Sequence, residues 1–95
     1  MTAEEYVDKA IEKLNEKHSV EWCNAIDLKK FDIGNLKYCV YGQMKKAGLL
    51  LPLYSFDDFM RELGLRGTGV FGNPEVNLIW KDKIKEIQRT LHGGR

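Results

Sequence analysis

Asp32-Ile33-Gly34-Asn35-Leu36-Lys37-Tyr38-Cys39-Val40-Tyr41-Gly42-Gln43-Met44-Lys45-Lys46-Ala47-Gly48 reads as one helix with its own start and stop signals. Asn35 can open it, because its side-chain oxygen can accept an orphan backbone N–H of the first turn. Gly48 can close it, since glycine enters the left-handed region without steric cost. Lys45 and Lys46 fall in the last turn, where positive charge meets the negative end of the helix dipole. The spacing predicts a helix over 35–47 with Leu36, Val40, Met44 and Ala47 on one apolar face. Gln43 shares that face, while Tyr38, Tyr41 and Lys45 fall opposite.

Outward from this helix the same grammar repeats. Thr2-Ala3-Glu4-Glu5 is a capping-box sequence, followed by the stripe Val7, Ala10, Ile11, Leu14 and His18. Ser19 can cap a shorter helix through Ile26, with Trp22, Cys23 and Ile26 inward. Leu28 and Phe31 are expected to tuck one turn into the core. Leu49-Leu50-Leu51-Pro52-Leu53 is an apolar connector that Pro52 keeps from continuing the helix. Ser55 and Asp58 form a second reciprocal cap, with Phe56, Phe59, Met60 and Leu63 inward and Gly64 as the stop. Asn73-Pro74 opens a last helix carrying Val76, Trp80, Ile84, Ile87 and Leu91, the cleanest amphipathic pattern in the chain. Gly93 and Gly94 end it. The expected fold is all-α: a compact bundle of four main helices plus a short one, with a glycine-rich loop before the last helix, over a single domain, 1–95. Thr68–Phe71 is the nearest approach to a strand and is too short to carry a sheet.

Composition narrows the function. Fifteen Lys and Arg face fourteen Asp and Glu, a net charge of +1. That balance disfavours a non-specific DNA binder, which needs a basic excess, and equally an acidic DNA mimic. No apolar run approaches the roughly 18 residues of a membrane span, and Met1–Lys13 lacks a signal-peptide core. A cytoplasmic setting is expected, with Cys23 and Cys39 as reduced, buried thiols.

Three chemical motifs are weak on their own terms. Gly67–Gly72 matches G-x-G-x-x-G, but a helix rather than a strand precedes it and too little chain follows for a βαβ unit. Glu75 also places negative charge where a phosphate would sit. His18, Cys23, Cys39 and His92 are zinc-ligand types without the short paired spacing of a zinc knuckle. Asp57-Asp58 and Glu4-Glu5 lie in first turns, where capping explains them. No catalytic constellation emerges, and neither enzyme activity, nor a cofactor, nor a metal is expected.

Two features of the central helix invite a function. Gln43 and Trp22 make a polar pair within the expected core: the amide should tie the helix to a backbone carbonyl or to the Trp22 indole, because an unpartnered buried amide costs about 1–3 kcal/mol. Gly42 in a helix costs about 0.5–1 kcal/mol against alanine, so close approach of a helix or partner should offset it. Lys37, Tyr38, Tyr41 and Lys45 form an aromatic and basic patch, either covered by the first or last helix or open as a docking surface.

Trp22, Ile26-Asp27, Phe31-Asp32-Ile33 and Cys39-Val40-Tyr41-Gly42-Gln43 resemble a pattern in small phage and prophage proteins, W…ID…LD…CVLGQ, with a later glycine–aromatic pair and a tryptophan in the last helix. Val70-Phe71-Gly72 and Trp80 match the later positions loosely, and Tyr41 stands where the family has leucine. The resemblance implies a phage-encoded accessory protein, of a class rich in small inhibitors of host or defence machinery. The expectation is a non-enzymatic protein that binds a host or defence protein through Lys37, Tyr38, Tyr41 and Lys45. The alternative is a helix-turn-helix-like DNA binder, with Ile33-Gly34-Asn35 leading into the recognition helix and Lys37, Tyr38 and Tyr41 facing the groove. Against that alternative, the inward positions of such a helix would be Tyr38 and Gly42, off the apolar face.

Overall fold

Where the helices begin and end follows from which side chains can satisfy the backbone groups that a helix leaves unpaired. The computed structural model describes residues 2–66 and 74–92. The glycine loop expected over 67–72, the stretch 68–71, Asn73 as a cap and the Gly93-Gly94 stop lie outside the described residues.

Helix α1, Ala3–His18, starts with the expected box: the Thr2 hydroxyl accepts the Glu5 N–H at 3.2 Å, and the Glu5 carboxylate accepts the Thr2 N–H at 3.1 Å. Val7, Ala10, Ile11 and Leu14 are buried along its inner stripe. Ser19, at φ 58°, turns the chain into a 3-10 helix, Val20–Ala25, and its hydroxyl accepts the Glu21 N–H. Trp22, Cys23 and Ile26 face inward as the spacing predicts.

Residues 27–39 are irregular, and here the expected helix boundary is corrected. Asn35 opens a turn instead of a helix, its side chain accepting the Lys37 N–H at 2.8 Å. Asp27 and Asp32 do the same for Lys29 and Gly34. Three such local turns in succession offer the backbone an alternative to helical pairing. Helix α2 therefore runs only from Val40 to Lys46, capped by Cys39, whose Sγ accepts the Gly42 N–H at 3.5 Å. Leu36 is 61% exposed and Ala47 is exposed, so neither belongs to the apolar face assigned to them.

Helices α2 and α3 stop in the same way. Gly48 and Gly64 take φ 80° and 72°. At each stop, two crossed backbone bonds pair the last carbonyls: Gly48 to Lys45 and Leu49 to Met44, then Gly64 to Arg61 and Leu65 to Met60. Helix α3, Phe56–Glu62, begins at the Ser55–Asp58 box and buries Phe59 and Met60. Helix α4, Pro74–Leu91, buries Val76, Trp80 and Ile84, with Ile87 and Leu91 half-buried.

The fold is all-α, with no strand among the described residues. Helix α1 packs on the 3-10 helix and on α4, and the 3-10 helix also touches α2 and α4. Trp22, Phe59 and Trp80 are almost completely enclosed. Full burial of each large apolar side chain contributes about 1.5–3 kcal/mol. The Cα radius of gyration, 12.4 Å, is that of a chain this length folded as one body. No helix among the described residues is long and apolar enough to cross a membrane.

Candidate functional site

The buried amide of Gln43 is the hub of the irregular segment. Its Oε1 accepts the Asp27 N–H at 2.6 Å, and its Nε2 donates to the Tyr38 carbonyl at 2.9 Å and the Asp27 carbonyl at 3.3 Å. The backbone-tie expectation holds, and the Trp22 alternative does not: the Trp22 indole donates to Asn15 Oδ1 at 2.7 Å. Helix α4 supplies two more amides. Asn77 Oδ1 accepts the Ile33 N–H at 2.7 Å, and Gln88 Nε2 donates to the carbonyls of Cys23 and Ile26 at 2.7 and 2.8 Å.

Gly42 is explained by the chain itself rather than by another helix or a partner. A Cβ there would overlap the Leu36 carbonyl oxygen and stand 2.5 Å from the Lys37 carbonyl. The turn over residues 36–38 lies directly on α2.

The four-residue patch divides. Tyr41 is 8% exposed and belongs to the core, which corrects its reading as an outward anchor. Its ring meets Phe56 edge-on at 5.4 Å and Phe59 at 5.4 Å, so α3 covers it, not the first or last helix. Its hydroxyl donates to the Tyr54 carbonyl at 2.8 Å and accepts from Lys45 Nζ at 3.2 Å. The outward face that helical spacing predicts for Tyr41 does not exist, because α2 is short and enclosed on most sides, with Val40, Tyr41, Gln43 and Met44 all buried. Tyr38 is not helical and is half-buried, with Lys37 Nζ 5.7 Å from its ring centroid. Tyr38 and Tyr41 therefore do not stand side by side, and residues 35–39 do not form part of a recognition helix.

Lys37 and Tyr38 instead line a cleft of about 370 Å³ together with Lys30, Lys46, Asp27 and Gln43. A second cleft, about 300 Å³, lies under the apolar connector and is lined by His18, Leu49, Leu50, Leu51, Tyr54 and Glu62. Above it the connector leucines stand out: Leu49 is 41% exposed, Leu51 76% and Leu53 95%. A Tyr54 N–H bond to the Leu51 carbonyl closes this turn, and the Tyr41 hydroxyl holds Tyr54 from below. Lys17 and the Tyr54 hydroxyl both donate to Glu62, and these two hydrogen bonds hold the Glu62 carboxyl below its usual range. Sequence reasoning saw the connector as apolar but not as projecting; the run of leucines around Pro52 was the available signal.

Among the described residues no three His, Cys, Asp or Glu side chains come together as metal ligands. Burial pushes the Cys23 thiol up to about 12 and raises Cys39 too, so both thiols are held in the protonated form. Compared with family models, with curated proteins and with solved structures, the chain matches none.

Proposed function

We propose that this chain is a non-enzymatic binding protein of phage accessory type, docking on a host or defence protein through the Leu49–Leu53 connector. One observation carries the reading: three leucines within five residues project into solvent on a turn whose backbone is fixed from beneath by Tyr41. Contiguous exposed apolar surface mainly marks interaction sites. Lys17, His18 and Glu62 border the cleft beside it and supply the polar rim such interfaces have. Lys45 serves as a support on the Tyr41 hydroxyl, and Lys37 and Tyr38 lie in the other cleft.

The test is capture of a host protein on the immobilised chain, compared with the Leu51→Ser/Leu53→Ser double variant. Burying one leucine is worth about 1.5–3 kcal/mol, so losing two weakens binding about a hundredfold or more. The melting temperature should hold, because exposed substitutions usually stay within about 0.5 kcal/mol. Undiminished capture by the double variant would refute the surface. Absence of any captured protein, with a salt-steep gel shift on DNA, would refute the class.

A further inference from the structure

The geometry points to a second binding site, distinct from the leucine surface: the cleft between the turn at Lys30, the turn at Lys37 and the end of α2 receives a phosphate monoester of about mononucleotide size. Lys30, Lys37 and Lys46 come from three separate segments and share this one cleft with one carboxylate among the described residues, Asp27. Three ammonium groups against one carboxylate leave two positive charges. A phosphate monoester carries roughly −1.5 to −2 at neutral pH and would balance them. Among the described residues none of the three lysines makes an ion pair, a state they share with Lys9, Lys13, Lys29, Lys45, Lys81 and Lys85; what sets them apart is that they line one cleft. The dipole of α2 accounts for a lysine at position 46. It does not account for Lys30 and Lys37 lining the same cleft, where Lys37 Nζ stands 5.7 Å from the Tyr38 ring centroid.

The remaining walls suit the rest of such a ligand. Tyr38 offers a half-buried ring, and Ala25 and Ala47 offer small apolar surface. The walls are fixed before any ligand arrives, because Gln43 bonds the backbone of both Asp27 and Tyr38. The volume, about 370 Å³, falls at the lower end of the range for small-molecule sites. Lysine as a point charge suits phosphate, and among the described residues the lining holds lysines and no arginine, the fork that bidentate carboxylate recognition favours.

The experiment is a two-dimensional NMR titration of the whole chain with adenosine monophosphate, with adenosine and inorganic phosphate as separate arms. The expected result is saturable shifts of the amides of Lys30, Tyr38 and Lys46 with the monophosphate, at least about tenfold weaker binding of adenosine, and competition by inorganic phosphate. Lys30→Gln, Lys37→Gln and Lys46→Gln should each weaken binding about two- to fivefold, the size of a solvent-screened ion pair. Together they should weaken it at least about tenfold, and Lys85→Gln, on α4, should leave it unchanged. Should the triple variant fail to fold, the three single variants and the loss of binding with added salt decide the matter. Equal shifts with adenosine, an equal effect of Lys85→Gln, or shifts elsewhere would overturn the proposal. So would binding of a single-stranded oligonucleotide without binding of the monophosphate. The Leu51→Ser/Leu53→Ser variant should bind the monophosphate normally, so the two sites stand or fall separately.

Discussion

Replacing Gly42 by alanine should destabilise the protein, the reverse of the usual effect of that change inside a helix. Alanine is ordinarily favoured there by about 0.5–1 kcal/mol. Here the added methyl would overlap the Leu36 carbonyl oxygen and sit 2.5 Å from the carbon and oxygen of the Lys37 carbonyl. These are backbone atoms, so no side-chain rotation relieves the clash, and the turn over residues 36–38 must lift from α2. Overpacking of this kind costs about 1–3 kcal/mol. Lifting the turn also pulls the Tyr38 carbonyl from Gln43 Nε2 and strains the Cys39 cap. Losing that buried bond adds about 1–3 kcal/mol. After the helix-propensity gain is subtracted, the net loss is about 1–5 kcal/mol. For a domain near 100 residues this lowers Tm by roughly 5–40 °C. Urea denaturation followed by circular dichroism gives the free energy, and Gly42→Ser, bulkier still, should fall further. A Gly42→Ala protein as stable as the parent, or more so, would show that the turn does not press on α2 as described.

Further outcomes follow from the same contacts. Gln43→Leu should cost about 2–4 kcal/mol by urea denaturation, since it leaves the Asp27 N–H and the Tyr38 carbonyl without their partner; a neutral result would mean water substitutes for the amide. Tyr41→Phe should cost about 1 kcal/mol for the hydroxyl bond to Tyr54, and Tyr41→Ala about 3–5 kcal/mol as a core truncation; a small effect of the alanine would return the ring to the surface. His18 is held below its ordinary pKa by burial first and by Lys17 second. The unfolded chain therefore takes up this proton before the folded one does. Stability should fall as pH drops through about 6.5, level off below the folded value, and lose this dependence in His18→Gln; an unchanged pH profile in that variant would assign the effect elsewhere.

The helix ends were legible because capping chemistry is local. Thr2 with Glu5, Ser55 with Asp58, and the glycines at 48 and 64 each act within a few residues, and each sits where its spacing puts it. The stripe of α4 was legible because a long helix averages over many positions. Residues 27–39 were not, since Leu36 happens to fall in helical register with Val40 and Met44 while belonging to a turn. The side chains that make the turns, Asp27, Asp32 and Asn35, were visible, but nothing local weighs them against a helix. What settles the contest is Asn77, far along the chain, which accepts the Ile33 N–H, and Gln43, which pairs the backbone of Asp27 and Tyr38. The candidate sites suffered in turn: once α2 starts at Val40, Tyr41 goes inward, and Lys37 and Tyr38 join Lys30 and Lys46.

Two amides of α4 tie down the stretch from Val20 to Cys39 across a long separation in sequence. Gln88 lies 65 and 62 residues beyond the carbonyls of Cys23 and Ile26, and Asn77 lies 44 beyond Ile33. During synthesis the stretch from Val20 to Cys39 leaves the ribosome long before these partners exist. It must wait, unanchored on its α4 side, until the last helix is made and swings back. Loop closure over such separations slows folding relative to a bundle of neighbouring helices. The stretch from Val20 to Cys39 thus gains these three bonds only once α4 has docked.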